Sequence, residues 1–153
     1  MDMTGEHTIA ASRDDVWAAL NDVDVLRACI PGCEELEQTS DTTMEAVVKQ
    51  KIGPVKATFK GAVELQNIDA PKSYTIQGEG QGGVAGFAKG GANVTLEDVP
   101  EGTLLRYEAH AQVGGKLARL GSRLIDATAK KLAGKFFDNF QEHLNGPAEP
   151  EEG

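Results

Sequence analysis

At 153 residues, with 24 acidic against 15 basic side chains and a formal net charge of -9, the chain has room for one domain with a real core. It is too acidic for sequence-independent binding to nucleic acid, which needs a basic footprint. No stretch has the apolar length of a membrane span, and the start MDMTGEHTIAAS lacks the basic segment and apolar run of a secretory signal, so a cytoplasmic protein is expected.

Residues 1–145 read as a single domain and 146–153, GPAEPEEG, as a disordered acidic tail. Met3, Gly5, His7 and Ile9 alternate with polar residues, which predicts a first strand. Ser12, three residues before Asp15, can cap a short helix whose apolar side is Val16, Trp17 and Leu20. A second short helix runs from about Asp22 to Ala28 and ends at the Pro31-Gly32 turn.

From Cys33 the chain reads as strands. Met44, Ala46, Val48 and Ile52 share one face, Gly53-Pro54 turns the chain, and Val55, Ala57, Phe59, Gly61, Val63 and Leu65 alternate with polar residues. After a turn at Asp69–Lys72, Tyr74, Ile76, Gly78 and Gly80 point inward. Carrying that alternation past Gly82-Gly83 assigns Val84, Gly86, Ala88, Gly90, Ala92, Val94 and Leu96 to the same face. Leu105, Tyr107, Ala109, Ala111 and Val113 form the last strand.

Gly114–Leu144 is the one run long and proline-free enough for a helix of many turns. At about 100° per residue, Leu117, Leu120, Leu124, Ala127, Thr128 and Leu132 gather on one side, which is expected to face the core. Ala133, Phe136, Phe140 and Leu144 point about 140° away, with Gly134 as the expected pivot. Lys116, Arg119, Arg123 and Lys130 form a basic stripe behind: either a solvated face, or a docking stripe for an acidic protein or an anionic membrane.

The fold expected is α+β, a curved antiparallel sheet wrapped around the terminal helix. Its inner surface would be made of glycine and alanine opposite small residues of the helix. Two readings fit: a cavity for a small apolar molecule, or glycines demanded by a strongly bent sheet. The cavity would be lined by Ala57, Phe59, Gly61, Tyr74, Ile76, Gly78, Val94, Tyr107, Ala109, Leu120, Leu124 and Thr128, with Tyr74, Tyr107 and Thr128 as polar handles.

No catalytic constellation emerges. Cys29 and Cys33 lack a second cysteine pair to complete four metal ligands, and His7, His110 and His143 lie on separate elements. The CIPGC segment reads as a structural turn with packed thiols. Gly78–Gly83 resembles a phosphate loop only superficially, since no Lys-Ser or Lys-Thr follows it. No metal or cofactor is expected.

With these pieces in place, the chain resembles the CoxG-like family, named for the CoxG component of carbon monoxide dehydrogenase, within the START and Bet v 1-like (SRPBCC) superfamily. The resemblance rests on VWAALND at Val16–Asp22, LRACIPGCE at Leu26–Glu34, IGPVKA at Ile52–Ala57 with Phe59-Lys60-Gly61, Gly78-Glu79-Gly80, and GGKLA with LGSRL between Gly114 and Leu124. It implies a helix-grip fold around an elongated hydrophobic cavity. It also implies association with a carbon monoxide dehydrogenase-like molybdenum hydroxylase in membrane recruitment, assembly or quinone delivery. Some relatives end in a membrane-anchoring segment; this sequence ends in GPAEPEEG. Membrane contact would then fall to the basic stripe or to Phe136, Phe137 and Phe140. The expected function is a non-enzymatic carrier of a quinone, isoprenoid or lipid-like molecule. The alternatives are a protein-interaction module with an incidental cavity, or a cyclase or hydrolase acting in the cavity.

Overall fold

The computed structural model describes residues 1–145; the expected acidic tail, 146–153, lies outside the described residues. Strand β1 (Asp2–Ile9) leads into α1 (Arg13–Leu20) and α2 (Val23–Cys29), followed by β2 (Cys33–Gln38), β3 (Thr43–Ile52), β4 (Val55–Asp69), β5 (Ser73–Gln81), β6 (Phe87–Val99), β7 (Gly102–Gly114) and α3 (Ser122–Asn145). All seven strands form one antiparallel sheet in the order β1-β7-β6-β5-β4-β3-β2.

Local chemistry sets the two short helices. The Ser12 hydroxyl accepts from the Asp15 amide at 3.2 Å, and the Asp22 carboxylate accepts from the Asp24 amide at 2.9 Å, satisfying amides that have no partner inside the helix. The CIPGC segment is a joint. Cys29 is buried, and Gly32 adopts φ +75° where the Lys49 carbonyl passes so close that a side chain would collide with it. The Gln50 amide donates to the Pro31 carbonyl at 2.6 Å, and the Arg27 guanidinium to the Leu36 carbonyl at 3.0 Å. These contacts fix α2 against β2 and β3.

The solid part of the core sits at one end, where α1 and α2 cross the sheet. Ile9, Val16, Leu20, Leu65, Leu96, Leu105 and Phe140 pack there. Thr103, fully buried, donates from its hydroxyl to the Ala11 carbonyl at 2.8 Å, so the chain leaving β1 is pinned to β7.

Three expectations need correction. The terminal helix is not continuous from Gly114: residues Gly115–Leu120 form a 3-10 turn, and Gly121 at φ +90° separates it from α3. Counting a helical wheel through Gly121 carried the phase of Leu117 and Leu120 into a helix to which they do not belong. The inward face of α3 is a single stripe, Ile125, Ala129, Leu132, Phe136 and Phe140, continuous at i+3 and i+4 spacing across Gly134. Ala127, assigned to the core stripe, is exposed.

The Phe136, Phe137 and Phe140 face is therefore not available to a membrane. Phe140 has no exposed surface, Phe136 stacks beside it at 5.7 Å, and Phe137 stacks on His7. Val84 is also displaced. Gly83 takes φ +61°, the chain makes a 3-10 turn over Gly83–Ala85, and Val84 points outward with 86% exposure.

Candidate functional site

The strand register explains why the interior between sheet and α3 does not fill. Val63, Gly78, Gly90 and Ala111 are successive partners across β4, β5, β6 and β7, and Gly61, Gly80, Ala88 and Val113 form the next row. Two adjacent rows of mostly glycine and alanine leave the middle of the sheet without bulk. Protein interiors otherwise close to crystal-like density.

The result is a hollow in two neighbouring chambers. The first, about 620 Å³, lies between Leu36, Met44, Leu65, Ile76, Val94 and Phe136. The second, about 460 Å³, lies between Ile52, Val113, Leu117, Ile125, Leu132 and Phe136. Phe59, Ala88, Ala111 and Phe136 wall both, so the chambers meet at these residues. Each is of the size that receives a small organic ligand. A larger groove of about 870 Å³ lies on the outer side, but it is open and lined by Arg27, Glu34, Glu37, Lys60 and Gln81, so it offers a ligand no apolar enclosure.

The glycines divide by cause, and both readings of them hold at different positions. A Cβ on Gly90 would fall 2.0 Å from the His110 carbonyl oxygen and one on Gly61 3.0 Å from that of Glu79; these positions need glycine because backbone passes close by. Gly78 and Gly80 would meet nothing nearer than 3.6 Å and 3.9 Å. At those two positions the missing side chain is simply room.

Of the twelve residues expected to line a cavity, Phe59, Gly61, Tyr74, Ile76, Gly78, Val94 and Tyr107 wall the first chamber, and Thr128 walls the second with Phe59. Ala57, Ala109, Leu120 and Leu124 are not among the walls. Ala57 pairs with Gln50 near the β3–β4 turn, and Ala109 is covered by the β1 edge opposite Met3. Leu120 precedes the break at Gly121, and Leu124 packs toward Gly53. Ile125, Ala129, Ala133 and Phe136 were missed as wall residues; their i, i+4, i+8 and i+11 spacing was the available signal.

The polar groups facing the hollow are few. Tyr74 is 5% exposed, and burial alone raises its phenol well above the usual range, so it stays protonated as a donor. Its ring meets Trp17 edge-on at 5.2 Å. Its hydroxyl has no hydrogen-bond partner among the described residues, while Asp126 Oδ1 is the sealed side-chain atom left unpaired there. The Tyr74 hydroxyl accordingly borders the open space of the chamber it lines.

Tyr107 lies differently. Its ring folds over Gly5, where a Cβ would sit 2.5 Å from it, and is parallel to Phe137 at 5.7 Å. Burial raises its phenol as well. His7 stacks on the same Phe137, and burial lowers its pKa, with the Asp138 carboxylate partly opposing. This aromatic group closes the side of the hollow next to β1.

Among the described residues no three of His, Cys, Asp and Glu converge as metal ligands. Cys33 donates to the Glu35 carbonyl at 3.4 Å, and burial raises both thiols, so neither is poised as a nucleophile. Lys116, Arg119, Arg123 and Lys130 are all exposed, but the break at Gly121 divides them between the 3-10 turn and α3. No helix among the described residues is long and apolar enough to cross a membrane.

Solved structures share this architecture. A conserved protein from Geobacillus kaustophilus superposes with a TM-score of 0.89 at 29% identity, covering 95% of both chains. A protein from Rhizobium leguminosarum gives 0.73 at 16% identity over 95% of this chain and 94% of its own. Ara h 8.0201, of Bet v 1-like fold, gives 0.66 at 15% identity over 95% and 97%, which places the fold in the helix-grip class. No functionally curated protein matches the sequence. The family profile of CoxG, the G component of carbon monoxide dehydrogenase, matches residues 5–145, nearly the whole described chain, and the protein therefore belongs to the CoxG family.

Proposed function

We propose that this protein is a non-enzymatic accessory carrier that holds a quinone, isoprenoid or similar lipid-like molecule in the hollow between sheet and α3. The observation that carries the reading is the combination of an almost wholly apolar two-chambered hollow with one deeply buried, unpartnered donor, the Tyr74 hydroxyl. A long apolar molecule with a single carbonyl or hydroxyl oxygen fits that pattern. The apolar part would occupy the walls, and the oxygen would satisfy a phenol that otherwise pays for its desolvation. Phe59, Ile76, Val94 and Thr128 belong to the binding surface in this reading.

Family membership supports the further step that the carrier serves a carbon monoxide dehydrogenase-like molybdenum hydroxylase on the cytoplasmic side. A role without chemistry of its own agrees with the contents of the hollow, whose walls bring no acid and base within reach of each other. Native mass spectrometry of gently purified protein tests the reading: a bound apolar molecule is expected. Protein that is repeatedly empty, and that takes up neither a short-tailed quinone nor an apolar dye, would overturn it.

A further inference from the structure

The strands turn at two ends of the sheet, and charge is sorted between them. At one end lie the β3–β4 turn, the Gly83–Ala85 turn, the Gly115–Leu120 turn and the start of α3. The stretches that build this end, 46–63, 80–96 and 109–125, contain no Asp or Glu in a chain of net charge -9. Lys51, Lys56, Lys116, Arg119 and Arg123 are all exposed there and take part in no ion pair among the described residues. Nearby carboxylates are Asp2 at the head of β1 and Glu34, which is paired with Lys49. The turns at the opposite end carry Asp41, Asp69, Asp98 and Glu101.

Two details set the basic end apart from an ordinary solvated surface. Lys51 and Lys56 are direct cross-strand partners, a like-charge pairing that weakens a sheet unless an external anion offsets it. Val84 projects from the same end with 86% exposure. Its turn is not loose: Gly86 and Gly115 bring their backbones together so closely that a Cβ on Gly86 would fall 1.9 Å from the Gly114 carbonyl oxygen. A firmly held aliphatic tip surrounded by unpaired cations is thus presented outward.

We propose that this end docks on an anionic lipid bilayer, with Val84 entering the headgroup layer and the five cations resting over lipid phosphates. The chemistry favours a bilayer over an acidic protein. Protein interfaces are depleted in lysine and anchored by aromatic rings, whereas this end carries three lysines and an aliphatic tip. Clustered Lys and Arg beside an aliphatic insertion match an anionic membrane surface. The second chamber lies directly behind, walled by Ile52 and by Leu117, which is 2% exposed. Docking in this pose faces that chamber toward the bilayer, so a lipid-like cargo would be exchanged at this end; this second step rests on the carrier reading, whereas docking does not.

Sedimentation of the full chain with vesicles tests it. Binding is expected to vesicles of phosphatidylcholine mixed with phosphatidylglycerol, not to phosphatidylcholine alone, and should fall as salt rises. Lys51→Glu, Lys56→Glu and Arg119→Glu should each lower the bound fraction by about fivefold or more, and Val84→Asp should also weaken binding. Apolar-dye uptake without vesicles should be unchanged in all four variants. Absence of binding to the mixed vesicles, or equal binding of wild type and the combined charge variant, would overturn the proposal. So would capture of an acidic protein by these cations without vesicle binding. A wild type that docks but takes up no dye would sink the carrier reading and leave docking standing.

Discussion

His7 on β1 stacks face to face with Phe137 on α3, their ring centroids 4.0 Å apart and their planes 20° from parallel. The stack fastens the helix to the edge of the sheet through a titratable group. Burial lowers the His7 pKa below its ordinary 6.5, and the Asp138 carboxylate only partly opposes this. The unfolded chain therefore binds a proton more readily than the folded one. The contribution of neutral His7 is complete above the unfolded value and is lost as pH falls through the folded one. Wild type should lose thermal stability between about pH 7 and about pH 5, and His7→Phe, which keeps a ring on Phe137, should remove that part of the slope. Parallel melting curves against pH decide it; identical slopes would assign the loss to other groups.

Tyr74→Phe should separate stability from binding. Deleting a buried hydroxyl that has no partner removes an uncompensated desolvation cost, so ligand-free protein should gain about 1 kcal/mol in urea unfolding. The same variant should bind a short-tailed quinone about five- to tenfold less tightly, while its affinity for a hydrocarbon of similar size stays the same. Equal losses for both ligands would show that the phenol contributes shape alone.

Space in the hollow can be removed at chosen points. Gly80→Leu meets no atom within 3.9 Å of its Cβ, so the new side chain can enter the hollow with the backbone unmoved. Ligand affinity should drop by about 1–3 kcal/mol, the cost of forcing extra methylenes into occupied space, while the circular dichroism spectrum is retained. Gly90→Leu is the contrast, because its Cβ would fall 2.0 Å from the His110 carbonyl oxygen; that variant should lose stability whether or not ligand is present.

Much of the sheet and most of its hollow face were legible because burial alternates with period two. Along β4, Val55, Ala57, Phe59, Gly61 and Val63 are each more buried than Lys56, Thr58, Lys60 and Ala62 between them, and the same alternation marks Tyr74, Ile76 and Gly78. A periodic reading fails where a residue with positive φ resets the phase. Gly83 did this to Val84, turning an expected inward residue into the most exposed apolar side chain of the described residues. Gly121 did it to α3, so that Leu120 and Leu124 were assigned to a wall that Ile125 and Ala129 form. Glycine is compatible with either continuity or a break, and nothing in its neighbours' sequence distinguished Gly121 from Gly134.

Phe140 tests which face of α3 is structural. With no exposed surface and contacts to the Ile9, Val16 and Leu105 cluster, Phe140→Ala should cost about 3–5 kcal/mol in urea unfolding. A loss below about 1 kcal/mol, typical of a surface position, would mean that this face does not lie on the sheet.

The position of the break in the terminal segment can be tested with two glycines. Gly121 has φ +90°, and no atom lies within 4 Å of where its Cβ would be, so any penalty for alanine there comes from the backbone alone. Gly121→Ala should destabilise by about 1–3 kcal/mol, the cost of holding a non-glycine residue in such a conformation. Gly134 sits inside α3, likewise with nothing within 4 Å of its Cβ and with no positive φ. Gly134→Ala should therefore stabilise by about 0.5–1 kcal/mol, through helix propensity and a less flexible unfolded chain. Opposite signs for the two substitutions locate the discontinuity at Gly121; a stabilising Gly121→Ala together with a destabilising Gly134→Ala would restore a helix that begins near Gly114 and bends in its middle.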